Sequence, residues 1–227
     1  MAKFTSHVFA EIRGSMAGTV FSRNRYGAYT RQRVKPTVST SEAAQAAKTL
    51  MTSASQAWQD LTNPERLAWN EWARANPVVG SLGFPQTLPG HAAFVGIYCR
   101  RFKLGQGPLL VPPITPAPVG LTGVSVVADK TAGTADVTFT ATPLAAGCVL
   151  WFQACQVASQ GISHVKNLLK WCPISAVAPE SPYDAFANFE SRIGTLVIGH
   201  EFHLLVSVAD NATGLLSTPL RCADTIV

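Results

Sequence analysis

Glu201-Phe-His-Leu-Leu-Val-Ser-Val-Ala-Asp-Asn-Ala-Thr-Gly-Leu-Leu-Ser217 reads as a long strand, a turn and the start of a second strand. Phe202, Leu204, Val206 and Val208 recur with the period of two that places alternate side chains on one face, so they are predicted to face a core. The Asp-Asn-x-x-Gly motif that follows supplies residues that tolerate the backbone of a turn. Upstream come further apolar or alternating runs, at Leu121 to Val127, Ala135 to Thr140, Cys148 to Val157, Leu168 to Ile174 and Phe186 to Ser191. With Glu201 to Val208 and Leu216 to Cys222 they make seven predicted strands, divided by Gly, Pro, Asn and Asp. Seven strands in about 110 residues predict a β-sandwich.

Moving toward the N-terminus, Gly105 to Pro118 carries prolines at 108, 112, 113, 116 and 118. Such a segment continues neither a helix nor a central strand, so it is predicted to be an extended, semi-rigid spacer. Charge reverses across it. Residues 1–104 hold 13 Lys/Arg against 5 Asp/Glu, a net +8, and residues 105–227 hold 5 against 8, a net −3. The reading is an α+β chain of two domains: a basic hairpin plus three-helix module at 1–104, a Pro-rich linker at 105–118, and an all-β sandwich at 119–227. A basic half calls for an acidic partner, either nucleic acid or an acidic protein surface.

Within that half, Gly18 to Val34 reads as two short strands around a turn near Arg23 to Gly27, and Gly14-x-x-x-Gly18 reads as a loop. In the second strand Tyr29, Arg31 and Arg33 share one face. Two readings stand: a solvated edge whose arginines block aggregation, or a docking surface made of Arg23, Arg25, Tyr26, Tyr29, Arg31, Arg33 and Lys35. Ser39 to Glu42 and Thr62 to Glu65 are capping-box patterns, predicting one helix to about Asp60 and a second opening at Pro64. Trp58, Trp69 and Trp72 fall on helix faces that meet in a core. A third helix is predicted from Gly90 to about Lys103, with Phe94, Ile97 and Tyr98 inward and Arg100, Arg101 and Lys103 complementing its dipole.

Several chemistries are not encoded by any local pattern. His200 and His203 are three apart on a strand and point to opposite faces. The five cysteines form no C-x-x-C pair, and an odd number cannot all pair within one chain, so they are read as reduced and mostly buried. No G-x-S-x-G, H-E-x-x-H or P-loop motif occurs, and no metal, cofactor or enzymatic activity is expected. The longest apolar runs are far shorter than the roughly 20 residues that span a bilayer, and no secretory signal is readable, which makes the cytosol the expected site of synthesis.

Two resemblances bear on these residues. Pro116-x-Pro-x-x-Leu121 together with the strand–turn–strand at Glu201 to Ser217 resembles the entry strand and last hairpin of fibronectin type III and related immunoglobulin-like domains. That resemblance implies an immunoglobulin-like sandwich at 119–227; the family's strand-B tryptophan is absent, and Trp151 in the third predicted strand is expected to take its place. Gly14-Ser-Met-Ala-Gly-Thr-Val-Phe-Ser-Arg-Asn-Arg-Tyr-Gly-Ala-Tyr-Thr-Arg-Gln-Arg-Val-Lys-Pro36, then Ser41-Glu-Ala-Ala-Gln45 and Leu61-Thr-x-x-Glu-Arg-x-Ala-Trp-Asn70, resembles the N-terminal module of a family of tailed-bacteriophage and prophage proteins. That resemblance implies a virion structural protein made in the bacterial host cytoplasm. It would be an accessory of head, neck or tail that contacts other virion proteins and forms a homo-oligomer in the particle. A DNA-binding or packaging-associated phage protein is the alternative.

Overall fold

The computed structural model describes residues 2–3, 13–24, 27–35, 40–79, 84–140, 142–159, 161–162 and 164–227. The chain divides into two compact units, Met1–Lys48 and Thr49–Val227, the division falling inside a helix. Composition placed a boundary at 105–118; contacts place theirs here.

The first unit contains β1 (Ala2–Lys3), β2 (Gly14–Met16), β3 (Thr19–Asn24) and β4 (Gly27–Gln32), in the antiparallel order β1-β4-β3-β2. The stretch expected as a loop at Gly14 to Gly18 is thus a strand and a tight turn, with Ala17 at φ 49°. Ser39 lies outside the described residues. Helix α1 (Glu42–Asp60) opens instead on Ser41, whose Oγ accepts from Ala44 N at 3.3 Å.

In the second unit α1 is followed by α2 (Asn63–Ala75), β5 (Val78–Val79), β6 (Pro85–Gln86) and α3 (Gly90–Lys103). The short α1–α2 connection is fixed from both sides. Glu65 accepts from both the N–H and the O–H of Thr62 at 2.7 Å, while Arg66 Nη2 donates to Gln59 O at 2.6 Å. Trp69, Phe94 and Ile97 are buried in one cluster with Leu61 and Ala54, and the Trp69 and Phe94 rings meet edge to face at 5.3 Å. Burying Phe94 alone contributes about 1.5–3 kcal/mol.

The sandwich comprises β7 (Gly123–Asp129), β8 (Thr134–Thr140), β9 (Cys148–Val157), β10 (Lys170–Trp171), β11 (Tyr183–Asp184), α4 (Phe186–Ile193), β12 (Glu201–Asp210) and β13 (Leu220–Thr225). Two antiparallel sheets, β11-β8-β7 and β10-β9-β12-β13, close over one core. From the first sheet come Val126, Val137 and Phe139; from the second, Leu150, Phe152 and the expected Phe202, Leu204, Val206 and Val208. The long β9–β12 ladder runs from Glu201 opposite Val157 to Asp210 opposite Cys148.

Four expectations are corrected. Phe186 to Ser191 is helical rather than extended: Phe186, Phe189 and Ile193 recur at helical spacing, Asp184 Oδ1 accepts from Phe186 N at 3.0 Å, and Gly194 ends the turn at φ 98°. The C-terminal region is therefore not all-β. The strand predicted over Leu168 to Ile174 shrinks to Lys170–Trp171. After the turn that closes β12, Leu216 pairs with Ala209 as an isolated bridge, and the continuous strand begins only at Leu220, past Pro219, which offers no N–H to a ladder. Trp151 lies on the sheet face away from the core, with Val149, Ala209 and Leu104, because Leu150 and Phe152 occupy the inward alternation.

The Pro-rich segment is docked by side chains of α2 and α3. Trp69 Nε1 donates to Leu110 O at 2.9 Å, Trp72 Nε1 to Pro113 O at 3.0 Å, and Arg101 Nε to Gly107 O at 2.7 Å. Leu215 from the β12–β13 connection enters the helical cluster. At Gly214 (φ 73°) a Cβ would stand 2.9 Å from Arg101 Cγ. Helices, strap and sandwich thus share contacts within Thr49–Val227.

Candidate docking site

The basic residues of the first unit sit on a sheet whose register separates them. Ser22 pairs with Tyr29 and Val20 with Arg31, so these four side chains share a face. Arg23 pairs with Ala28 and Phe21 with Thr30, which puts Arg23 on the opposite face. Tyr29 and Arg31 are brought together; Arg23 is not with them. Arg33 extends the ladder by one bond, its N–H donating to Gly18 O at 2.7 Å, and it and Lys35 are exposed. Arg25 and Tyr26, at the hairpin tip, lie outside the described residues. β4 is not an edge: Ala2 and Lys3 pair with Thr30 and Tyr29 on its other side. Sequence reasoning missed both flanking strands because two or three residues are too few to display a period.

Two properties set this unit apart. Residues 1–48 hold eight Lys/Arg against two Asp/Glu. Among the described residues of 13–35 none is buried, and Met16 and Val34 are 71% and 77% exposed.

Several titratable groups elsewhere are packed into the fold. His203 is buried on β12, and its Nδ1 lies 3.2 Å from Arg221 Nη2; a guanidinium only donates, so Nδ1 accepts and the proton resides on Nε2, 3.7 Å from Glu201 Oε1. His200 precedes the strand. Among the described residues no cluster of His, Cys, Asp and Glu could hold a metal ion. All five cysteines are free, and burial pushes the Cys172 and Cys222 thiols up to about 11. The three cations ending α3 do more than face its dipole: Arg101 holds Gly107, Lys103 Nζ stands 4.4 Å from the Trp171 ring centroid, and Arg100 Nη1 lies 3.4 Å from Gly214 O. Among the described residues no helix is long and apolar enough to cross a membrane.

No family model matches the sequence, and no curated protein matches it. The crystal structure of a Fn3-like protein from Clostridium thermocellum is similar to this chain at 19% identity, over 49% of this chain and 96% of that one, with a TM-score of 0.30.

Proposed function

We propose that this chain is a structural protein of a bacteriophage particle, an accessory of head, neck or tail that docks through its basic N-terminal sheet and presents its sandwich to the surroundings. The observation that carries the reading is the cationic sheet without a buried side chain among its described residues. Sheets of this size gain stability from a covered face, and here Tyr29 and Arg31 offer one face a partner while Arg23 and Phe21 mark the other. Arginine dominates the set. Its planar fork pairs with carboxylates bidentately while its stem covers apolar surface, so the fitting partner is an acidic virion protein. The resemblance of residues 14–70 to a phage module points the same way. The strand order, three strands against four and all antiparallel, supports reading the sandwich as immunoglobulin-like, of the fibronectin type III kind.

Replacing Arg31 and Arg33 together by Ser tests the docking role. Both are exposed, and such substitutions usually change stability by no more than about 0.5 kcal/mol, so the isolated double variant is expected to stay folded yet to be lost from purified particles. Normal incorporation of that variant, with loss on deletion of 119–227, would move docking to the sandwich. Binding to DNA that falls steeply between about 50 and 200 mM salt would replace the protein partner by nucleic acid.

A further inference from the structure

Between α2, α3 and the Pro-rich strap lies a groove of about 840 Å³, and it belongs wholly to residues 49–227. Trp72, Leu88, Ala92 and Leu215 line it together with the strap residues Val111 to Ala117. The lining is mostly aliphatic and aromatic, with the polar side chains of Asn76 and Thr115 and one cation, Arg100. Among the described residues no Asp or Glu lines it.

The position of Arg100 is built. It is half-buried, and Gly96, one turn earlier on α3, leaves the space along which the guanidinium lies, its Nη2 being 3.7 Å from where a Cβ would stand. Burial disfavours its charge. Its hydrogen bond to Gly214 O, at 3.4 Å, is long, and a guanidinium has five N–H donors. An apolar groove holding a cation without an acidic partner is complementary to an apolar ligand that carries one carboxylate.

The strap indicates what bears that carboxylate. The carbonyls of Leu110 and Pro113 are taken by the two tryptophans, but the N–H groups of Val111, Ile114, Thr115 and Ala117 make no hydrogen bond within the described residues. A peptide backbone can pair with such groups; an alkyl chain cannot. At the rim Ile114 is 97% exposed and Val111 54%, an apolar margin of the sort found at protein interfaces.

We propose that this groove docks an extended apolar segment of another polypeptide carrying one carboxylate, which Arg100 receives. The test is selection of a random dodecapeptide library on the immobilised full-length chain, followed by affinity measurement on the enriched peptides. They are expected to share an aliphatic run with one Asp or Glu. Changing that acid to its amide in the peptide, or Arg100→Gln in the protein, should weaken binding at least about tenfold. Ile114→Ser, at a side chain exposed enough to leave folding untouched, should also weaken it. Because the peptide-side change needs no altered protein, the carboxylate requirement is tested even if Arg100→Gln fails to fold. The proposal is overturned if no peptide is enriched, if enriched peptides lack an acid, or if the peptide acid or Ile114 proves dispensable. It is overturned too if dodecanoate binds with a dependence on Arg100 and no peptide does, which would make the groove a site for a small amphiphile.

Discussion

Gly90 and Gly96 belong to the same helix and face opposite constraints. At Gly90, where α3 begins, the amide donates to Asn70 Oδ1 at 3.1 Å, and a Cβ would stand 2.7 Å from Asn70 N on the backbone of α2. Neither helix can yield there without disturbing Trp69 beside it. Gly96 would place a Cβ in ordinary contact with Arg100. Gly90→Ala is therefore expected to cost about 1–3 kcal/mol by overpacking, and Gly96→Ala to gain about 0.5–1 kcal/mol from helix propensity. Urea unfolding of the two variants beside the parent checks both signs; equal effects would mean that the α2–α3 approach is looser than described.

At the scale of the element, the start of α2 carries a pH signature. Hydrogen bonds from the Thr62 side chain and then its backbone hold the Glu65 carboxyl below its usual value of 4.5. A carboxylate whose folded value is depressed stabilises the protein above the unfolded value and loses that contribution as pH falls through the folded one. Glu65→Gln is thus expected to lower the melting temperature at pH 7 and to approach the parent progressively as pH falls below about 4.5; a difference that does not shrink between pH 7 and pH 3 would assign the effect to something other than ionisation. This cap was legible in Thr62-Asn-Pro-Glu65, as α3 was in Gly90 to Lys103, because each signal is contained in one or two turns. The helix at Phe186 was missed although its spacing is helical, since Phe and Ile suit strands equally and the run follows others that are extended. In the candidate site, the period of two correctly joined Tyr29 to Arg31, but only the register of β3 against β4 could show that Arg23 leaves that face.

Across the whole molecule, composition marked Gly105 to Pro118 as a spacer, and its proline content did keep it out of helix and strand. What no local pattern could reveal is that two indole N–H groups from α2 hold its carbonyls and that Leu215 of the sandwich enters the helical cluster. These are pairings over long sequence separations. They lead to the expectation that α2, α3 and the sandwich unfold together. Loss of helical circular dichroism and exposure of the buried Cys172 thiol should share one urea midpoint; a helical signal lost well before the thiol appears would establish two independently folding parts on either side of the strap.

The insertion of Leu215 among the helices decides where this protein could accept foreign sequence. The turn closing β12 is the sort of tip into which an epitope or cargo peptide would ordinarily be spliced. Here Leu215 is buried and Gly214 lies against α3, so a graft at that point would pull a side chain out of the helical core. The β7–β8 turn is the better port: Thr131 and Ala132 are exposed, and Asp129 Oδ1 already closes the turn on Ala132 N at 2.8 Å. A chain grafted there would carry one inserted loop with the helical core left intact.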